Sequence, residues 1–498
     1  MTNTATARWI FDEFGINVRS LAVSRILFGL ALLVIMFPRY PWMANFPSSS
    51  FAPPLGLAAM FESQPPAWVL WILVGEATIL TLLLMFGWRT RVVGLTLAAV
   101  LLVCNSFDYA FGKINHDILL IITLVTMSFS DWGEALTLDS KRRPPDHECL
   151  INPVRWPLAL LVVITGLCMT GAAFAKIRGG WLHLESSATL GHLIANYYVQ
   201  HRDAIVGQLA LNYIPTWMWE GADWSTVLIE AAFLPCAFSL RATRWAYLFA
   251  VLFHAGVQYT MHIFFWPNLV TYALVVEWDG LLSPRVTDRL ERFVKSTNVW
   301  QLCAAGIGLT VAMYFVGNIP QALLRSFGWG EIELNSILMT AVLLGCGYYG
   351  MKSMAQALRP SSTPPLLLFD GVCGLCNTSV DWVMRHDPQR QFRFAPLQSP
   401  AGQAALRESG LDADYIDSIV LIRGGQVYTH STAALHVARL LGWPWKALFA
   451  FVLIPPILRD LVYDFVAEHR YQWFGKREAC RIPTPEERQQ LIFELEAA

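Results

Sequence analysis

The chain has 498 residues and a net charge of −1, with 55% hydrophobic but only 15% charged residues and a mean hydropathy of +0.43. Soluble domains carry about a quarter charged residues, so this balance excludes an ordinary soluble enzyme and points to an integral membrane protein. Without a basic excess nothing suggests a nucleic-acid partner, and nine thinly spread cysteines give no extracellular disulfide framework.

The first apolar run contains Arg25 and lacks an evident cleavage site, so it reads as a retained span rather than a signal peptide. Spans are predicted at 20–37, 67–86, 92–109, 115–131, 156–176, 223–240, 245–262, 263–278, 300–319 and 336–351, the eighth being the weakest. Lys and Arg set the orientation. With the N-terminus inside, the inner segments hold Arg89, Arg91, Lys141, Arg142, Arg143 and the basic residues of 285–295. The outer segments hold only Arg39, Lys113, Arg178, Arg202 and Arg325, with Lys176 at the boundary. Ten spans leave both termini in the cytoplasm, with a bacterial inner membrane as the expected site. Segments 38–66 and 177–222 are rich in Trp, Pro and Tyr and suit an interfacial cap. Residues 279–299 read as an inner surface helix. Cys104, Cys168, Cys236, Cys303 and Cys346 lie inside apolar runs and read as inert buried thiols.

Composition changes at 359–365 (Arg-Pro-Ser-Ser-Thr-Pro-Pro), a linker. Beyond it the pattern predicts a strand at 366–370, a helix near 376–386, a strand at 392–395 and a helix near 400–409. Strands at 418–423 and 426–430 flank Gly424-Gly425, and a helix at 432–441 starts behind Ser431 and stops at Gly442. That order is thioredoxin-like. The apolar run 447–458 is too short to span, so it packs on the domain or lies against the bilayer. The fold class is therefore a polytopic α-helical membrane bundle plus a C-terminal thioredoxin-like α/β domain.

Between the first strand and helix stands Asp370-Gly-Val-Cys373-Gly-Leu-Cys376. A helix N-terminus stabilises a thiolate, and a second thiol three residues on can resolve a mixed disulfide. Two other readings stay open: half of a zinc site, or a purely structural pair. Zinc would need two further ligands, and no second C-x-x-C or spaced Cys/His pair occurs. These residues, with Trp382, Asp387, Ser431, Leu441-Gly442, Pro455, Arg459-Asp460, Tyr463, Arg470, Phe474-Gly475 and Cys480, resemble the DCC family (DUF393) of predicted thiol-disulfide oxidoreductases. The resemblance implies that Cys373, the more exposed sulfur, attacks and Cys376 resolves. Asp370 would relay a proton. One departure concerns the strand facing the cysteines: Asp417-Ser418 precede Ile419 where thioredoxin-like enzymes usually carry a proline.

Polar groups also interrupt the apolar spans: Asn115-His116-Asp117, Lys176, and His254 with His262. Ionisable groups at membrane depth are costly unless paired or lining a cavity. Plainer roles are a snorkelling Lys176, a helix-capping His116 and a packed His262. Arg25, Asn115-His116, the turn from Ser130 to Leu138-Asp139, Lys176 five residues before Trp181, and His254 resemble the HTTM domain, a relative of the vitamin K-dependent γ-carboxylase membrane region. That resemblance implies a catalytic base at Lys176, and Asn115, His116 and His254 binding a membrane quinone. The large outer domain with which the carboxylase engages its protein substrates is missing.

The resulting domains are 1–297, HTTM-like; 298–358, additional transmembrane helices; 359–365, linker; and 366–498, DCC-type oxidoreductase. The expected activity is membrane-anchored thiol-disulfide exchange at Cys373 and Cys376 on the cytoplasmic face. It would involve no metal and no covalent cofactor, a thiol or disulfide partner, and coupling to a quinone. Two alternatives remain. One is a transport or lipid-binding bundle with a regulatory thiol domain. The other is a quinone-dependent carboxylase or epoxidase for which the thiol domain is only a reductant.

Overall fold

The structure is a computed structural model that describes residues 9, 14–37, 40–53, 57–111, 116–139, 155–184, 186–201, 204–278, 281–317, 319–326, 334–358, 364–409, 411–424, 426–454, 456–477 and 490–492. The chain divides into two compact units, residues 10–351 and residues 352–498 with 1–9.

The first unit is helical. Among the described residues six helices are long and apolar enough to cross a membrane: Val18–Ile35, Ala67–Met85, Thr90–Phe111, Trp156–Arg178, Val299–Val316 and Leu334–Met351. Only 6% of the last is buried, so its apolar surface lacks protein cover and suits lipid. Four of the ten predicted spans fall outside this set. The fourth is the ten-residue helix Ile118–Met127, ended by a turn in which Ser130 Oγ donates to the Met127 carbonyl at 2.7 Å. The eighth shrinks to Trp266–Tyr272. Thr216–Cys236 and Leu240–Met261 reach 21 and 22 residues, but the former carries Glu220, Asp223 and Glu230 and the latter Arg241 and Arg244. The predicted surface helix is present at Pro284–Ser296.

Val299–Val316 packs on Ala67–Met85, where Gly306 comes so near that an added Cβ would lie 2.6 Å from Ile79. The helices after residue 297 therefore share one unit with those before it. Arg25, fully buried in the first helix, donates to the carbonyls of Trp132 (2.5 Å), Leu136 (2.6 Å), Met85 (3.3 Å) and Ala135 (3.3 Å). A guanidinium has enough donors to fix such a turn from within. Buried Asp223 accepts the N–H groups of Ala188 and Thr189, both at 2.7 Å, tethering the start of helix Ala188–Ile194 to Thr216–Cys236.

The second unit has four strands: β1 (Leu366–Phe369), β2 (Arg393–Pro396), β3 (Val420–Arg423) and β4 (Gln426–Thr429). The order is β2-β1-β3-β4, with β1 parallel to β2 and antiparallel to β3, and β3 antiparallel to β4. Four helices accompany them: α1 (Gly374–Arg385), α2 (Pro400–Glu408), α3 (His430–Leu440) and α4 (Pro456–Phe474). Strand alternation sorts the core. Leu367 and Phe369 pack with Val380, Val383 and Val437 on one face, whereas Leu368 packs with Leu406 and Val420 on the other. This small mixed sheet with its helices is thioredoxin-like. Helix α3 begins earlier than the predicted 432–441. Its N-cap is Thr429, and Ser431 lies in the first turn with its hydroxyl bonded to Asp460.

Candidate functional site

The thiol pair sits where β1 turns into α1. Cys373 is the N-cap, in extended conformation, and its Sγ accepts the Cys376 N–H at 3.4 Å. Asn377, buried one residue further on, donates to the carbonyls of Gly371 (2.9 Å) and Cys373 (2.8 Å) and fixes the turn. The expected order of exposure is reversed: Cys373 is 0% exposed, and Cys376 is the partly exposed sulfur. The cover over Cys373 is the segment after α4. Gly374 N–H donates to the Gly475 carbonyl at 3.1 Å, Arg477 N–H to Val372 at 2.8 Å, and Lys476 bridges Cys373 in antiparallel fashion. Gly475 has φ +76°, the left-handed turn that lets the chain double back from the helix end. A Cβ on Gly374 would strike the Phe474 carbonyl.

Cys376 faces a groove of about 500 Å³ lined by Trp382, Ile419, Val437, Leu448 and Tyr463, among other mainly apolar side chains. Burial, then the charge of Cys373 and a hydrogen bond to it, push the Cys376 thiol up to about 12 against the pull of Arg470. The proton therefore stays on Cys376 at neutral pH. Alkylation of Cys376 is expected to rise roughly tenfold for each pH unit between about 8 and 11, without a plateau. Mass-spectrometric quantification of the labelled peptide checks this, and a plateau below pH 9 would contradict it.

Asp370 is buried at 2% exposure, and both its oxygens are committed. Oδ1 accepts from Gln398 Nε2 (2.8 Å) and Val372 N–H (3.1 Å); Oδ2 accepts from Tyr471 OH (2.5 Å) and Arg470 Nη2 (3.3 Å). These four hydrogen bonds make Asp370, the residue for which the resemblance implied a proton relay, an anchor of the turn. Burial alone would pull Arg470 down. Its hydrogen bond to Tyr471 and the negative charges of Tyr471, Cys376 and Asp370 outweigh that and shift it upward. Burial and the Asp370 bond raise Tyr471.

The missing proline has a replacement. Arg470 donates to the carbonyls of Ile416 (2.9 Å) and Asp417 (3.3 Å), and the Ile419 N–H is taken by Tyr463 OH at 3.2 Å. The loop facing Cys376 is thus held by α4. Sequence reasoning passed over Gln398, Asn377 and Tyr471 as site residues. The seven-residue spacing of Tyr463 and Arg470, two helical turns on one face, was the available signal.

In the membrane unit, His254 stacks on Phe265 with ring centroids 4.6 Å apart, and His116 meets the same ring edge-on at 5.2 Å. His254 Nε2 lies 3.3 Å from Tyr272 OH. The structure therefore brings His116 and His254 together, while Asn115 lies outside the described residues, as do Pro455 and Cys480. Lys176 takes another partner: its Nζ donates to both oxygens of Glu230 at 2.7 Å and sits 5.4 Å over Trp181. Neither a bare base nor a simply snorkelling cation describes it, because acting as a base would require separating this ion pair. Glu230 is the residue that the sequence did not reveal. Lys176→Arg is expected to keep expression and thermal stability near wild type. Lys176→Met, by stranding a carboxylate that is 7% exposed, should cost several kcal/mol, about 3–5 for a buried pair, read as a fall in melting temperature.

No group of three or more His, Cys, Asp or Glu suited to a metal occurs among the described residues. A C-x-x-C turn capping the first helix, on a β2-β1-β3-β4 sheet, defines a thioredoxin-fold dithiol. Residues 367–476 match the model of the DCC1-like thiol-disulfide oxidoreductases, and the chain belongs to this family. It is 49% identical over 120 residues to Uncharacterized protein YuxK of Bacillus subtilis (strain 168), covering 24% of this chain and 88% of that one. It is 40% identical over 119 residues to DCC family protein At1g52590, chloroplastic, of Arabidopsis thaliana, covering 24% and 69% respectively. No solved structure matches. The family match does not reach the HTTM-like segment, so it lends the carboxylase-like reading no support.

Proposed function

We propose that the chain is a membrane-anchored thiol-disulfide oxidoreductase whose dithiol works on the cytoplasmic face. The observation that carries the chemistry is Cys373 Sγ at the helix N-cap, accepting the Cys376 N–H while Cys376 keeps its proton. The Cys373 thiolate attacks a partner disulfide, forming a mixed disulfide and releasing one partner thiolate, which takes up a proton. Cys376 then loses its proton and attacks Cys373 Sγ. The internal disulfide forms and the second partner sulfur leaves as a thiol. Two electrons pass from the pair to the partner, with one proton from Cys376 and one from solvent, and the reverse sequence oxidises a partner dithiol. Because Gly475–Arg477 cover Cys373, the first attack requires that segment to lift. Six apolar helices support anchoring, and the Lys/Arg asymmetry supports the cytoplasmic face.

Coupling to a membrane quinone is the second reading, favoured by the His116–Phe265–His254 stack. In it, a two-electron, two-proton quinone oxidises the dithiol and leaves as hydroquinone. A bundle that carries solutes or lipids would instead show uptake independent of Cys373. One experiment tests the main proposal on the full chain. In intact cells an impermeant maleimide should leave Cys373 and Cys376 unlabelled. In inverted vesicles poised between reduced and oxidised glutathione, the pair should cycle reversibly between dithiol and disulfide. Labelling from outside would overturn the topology, and a pair that never oxidises would overturn the chemistry.

A further inference from the structure

In a water-soluble domain an amphipathic helix turns its apolar stripe inward. Helix α4 does the opposite. Its outward face carries Leu458, Leu461, Val462, Phe465 and Trp473, between 52% and 67% exposed. Their spacing of three and four residues places them on one side. Phe465, His469 and Trp473 form a ring ladder along it, with centroids 4.7 and 5.1 Å apart. The inward side instead holds Asp460, bonded to Ser431, Tyr463, bonded to Ile419, and Arg470, bonded to Asp370. The turns of Trp445–Leu453, which precede α4 in the chain, expose Leu448 and Phe451 at 43% and 54%, and Trp443 is 79% exposed. Single exposed hydrophobics are ordinary, but an apolar helix face together with exposed aromatic and aliphatic residues in the preceding turns marks an interaction surface.

We propose that this face of α4, together with the turns of Trp445–Leu453, docks in the headgroup region of a lipid bilayer. Three observations select lipid as the occupant. Among the described residues the same chain carries six helices fit to cross a membrane, and fourteen residues, 352–365, join the end of the last to β1. Fourteen residues reach at most about 50 Å even when fully extended, which tethers the domain near the bilayer. The patch is built from Trp, Phe and Leu, the side chains that settle at the boundary between headgroups and acyl chains. Its ends carry exposed cations, Lys446 on one side and Lys476 with Arg477 on the other, suited to anionic headgroups, against Glu468 on the rim. Leu448 belongs both to this face and to the groove beside Cys376, so docking sets the groove at the membrane surface and favours a lipophilic or membrane-borne partner for the thiols.

The test uses the full chain in vesicles of phosphatidylethanolamine and phosphatidylglycerol. A benzophenone-bearing phenylalanine replaces Val462, Phe465 or Trp473, one at a time, and Glu408 on α2, beyond the opposite face of the sheet, as control. All four positions are exposed, and limited proteolysis matching that of the unsubstituted chain reports that each variant is folded. On illumination, the three α4 positions should yield phospholipid adducts, seen as a mass shift of the labelled peptide, and Glu408 should yield none. Adducts to another segment or to a second copy of the chain would overturn the proposal by showing a protein-covered face. Absence of any adduct at the three positions would overturn it by showing a face open to water. The outcome does not depend on thiol turnover, so it stands apart from the fate of the oxidoreductase reading.

Discussion

Cys373→Ser is expected to abolish disulfide exchange, lowering the rate by on the order of 10³-fold or more, whereas Cys376→Ser should accumulate a mixed disulfide through Cys373. The asymmetry follows from the reduced pair. Cys373 Sγ receives the Cys376 N–H and occupies the helix N-cap, the geometry of an attacking sulfur. Cys376, pushed up to about 12, is a poor nucleophile at neutral pH until an adjacent mixed disulfide gives it a target within reach. Non-reducing gels of membranes, with peptide mapping of the trapped adduct, read the result. Exchange surviving in Cys373→Ser, with trapped adduct on Cys376 instead, would reverse the two roles and make exposure the deciding property. Loss of exchange in neither variant would remove the thiols from the function altogether.

The local features of the site were legible in the sequence because they are written in consecutive residues. The run Leu366–Phe369 ends at Asp370-Gly371, the cysteines open a helix, and Gly424 and Gly442 stop a strand and a helix with φ of +57° and +78°. The order of strands and helices along the chain is the thioredoxin-like one that the pattern predicts. What stayed hidden depends on residues that meet from far apart. Cys373 is covered by Gly475–Arg477, about a hundred positions downstream, so a reading based on helix-start geometry gave it an exposure that the fold removes. Lys176 finds Glu230 and Asp370 finds Arg470 only through tertiary packing. Two predicted spans are shorter in the structure for a different reason. Hydropathy registers apolar runs whether or not the backbone stays helical, and Pro267 and the Ser130 turn cut two of them short.

Arg470 is the residue whose loss should most damage the domain. Its guanidinium reaches Asp370 Oδ2 at 3.3 Å, the Ile416 carbonyl at 2.9 Å and the Asp417 carbonyl at 3.3 Å, joining α4, the end of β1 and the loop facing Cys376. The side chains of Arg470 and Asp370 are 10% and 3% exposed, so removing one partner strands the other away from water. Breaking a buried pair in this way costs about 3–5 kcal/mol. Arg470→Met is therefore expected to open the C-terminal unit, seen as faster proteolysis and faster amide exchange in β1 and in residues 411–419, while the helices of residues 10–351 keep their protection. Arg470→Lys should recover little, because an ammonium is a point donor and cannot serve a carboxylate and two carbonyls in one plane. The double change Asp370→Asn with Arg470→Met separates anchoring from chemistry. If the pair only anchors, the second substitution adds less than its cost alone, and the Cys373–Cys376 disulfide still forms in whatever fraction remains folded. If Asp370 moves a proton during exchange, Asp370→Asn alone should slow turnover and alter its pH profile by more than the lost folded fraction explains.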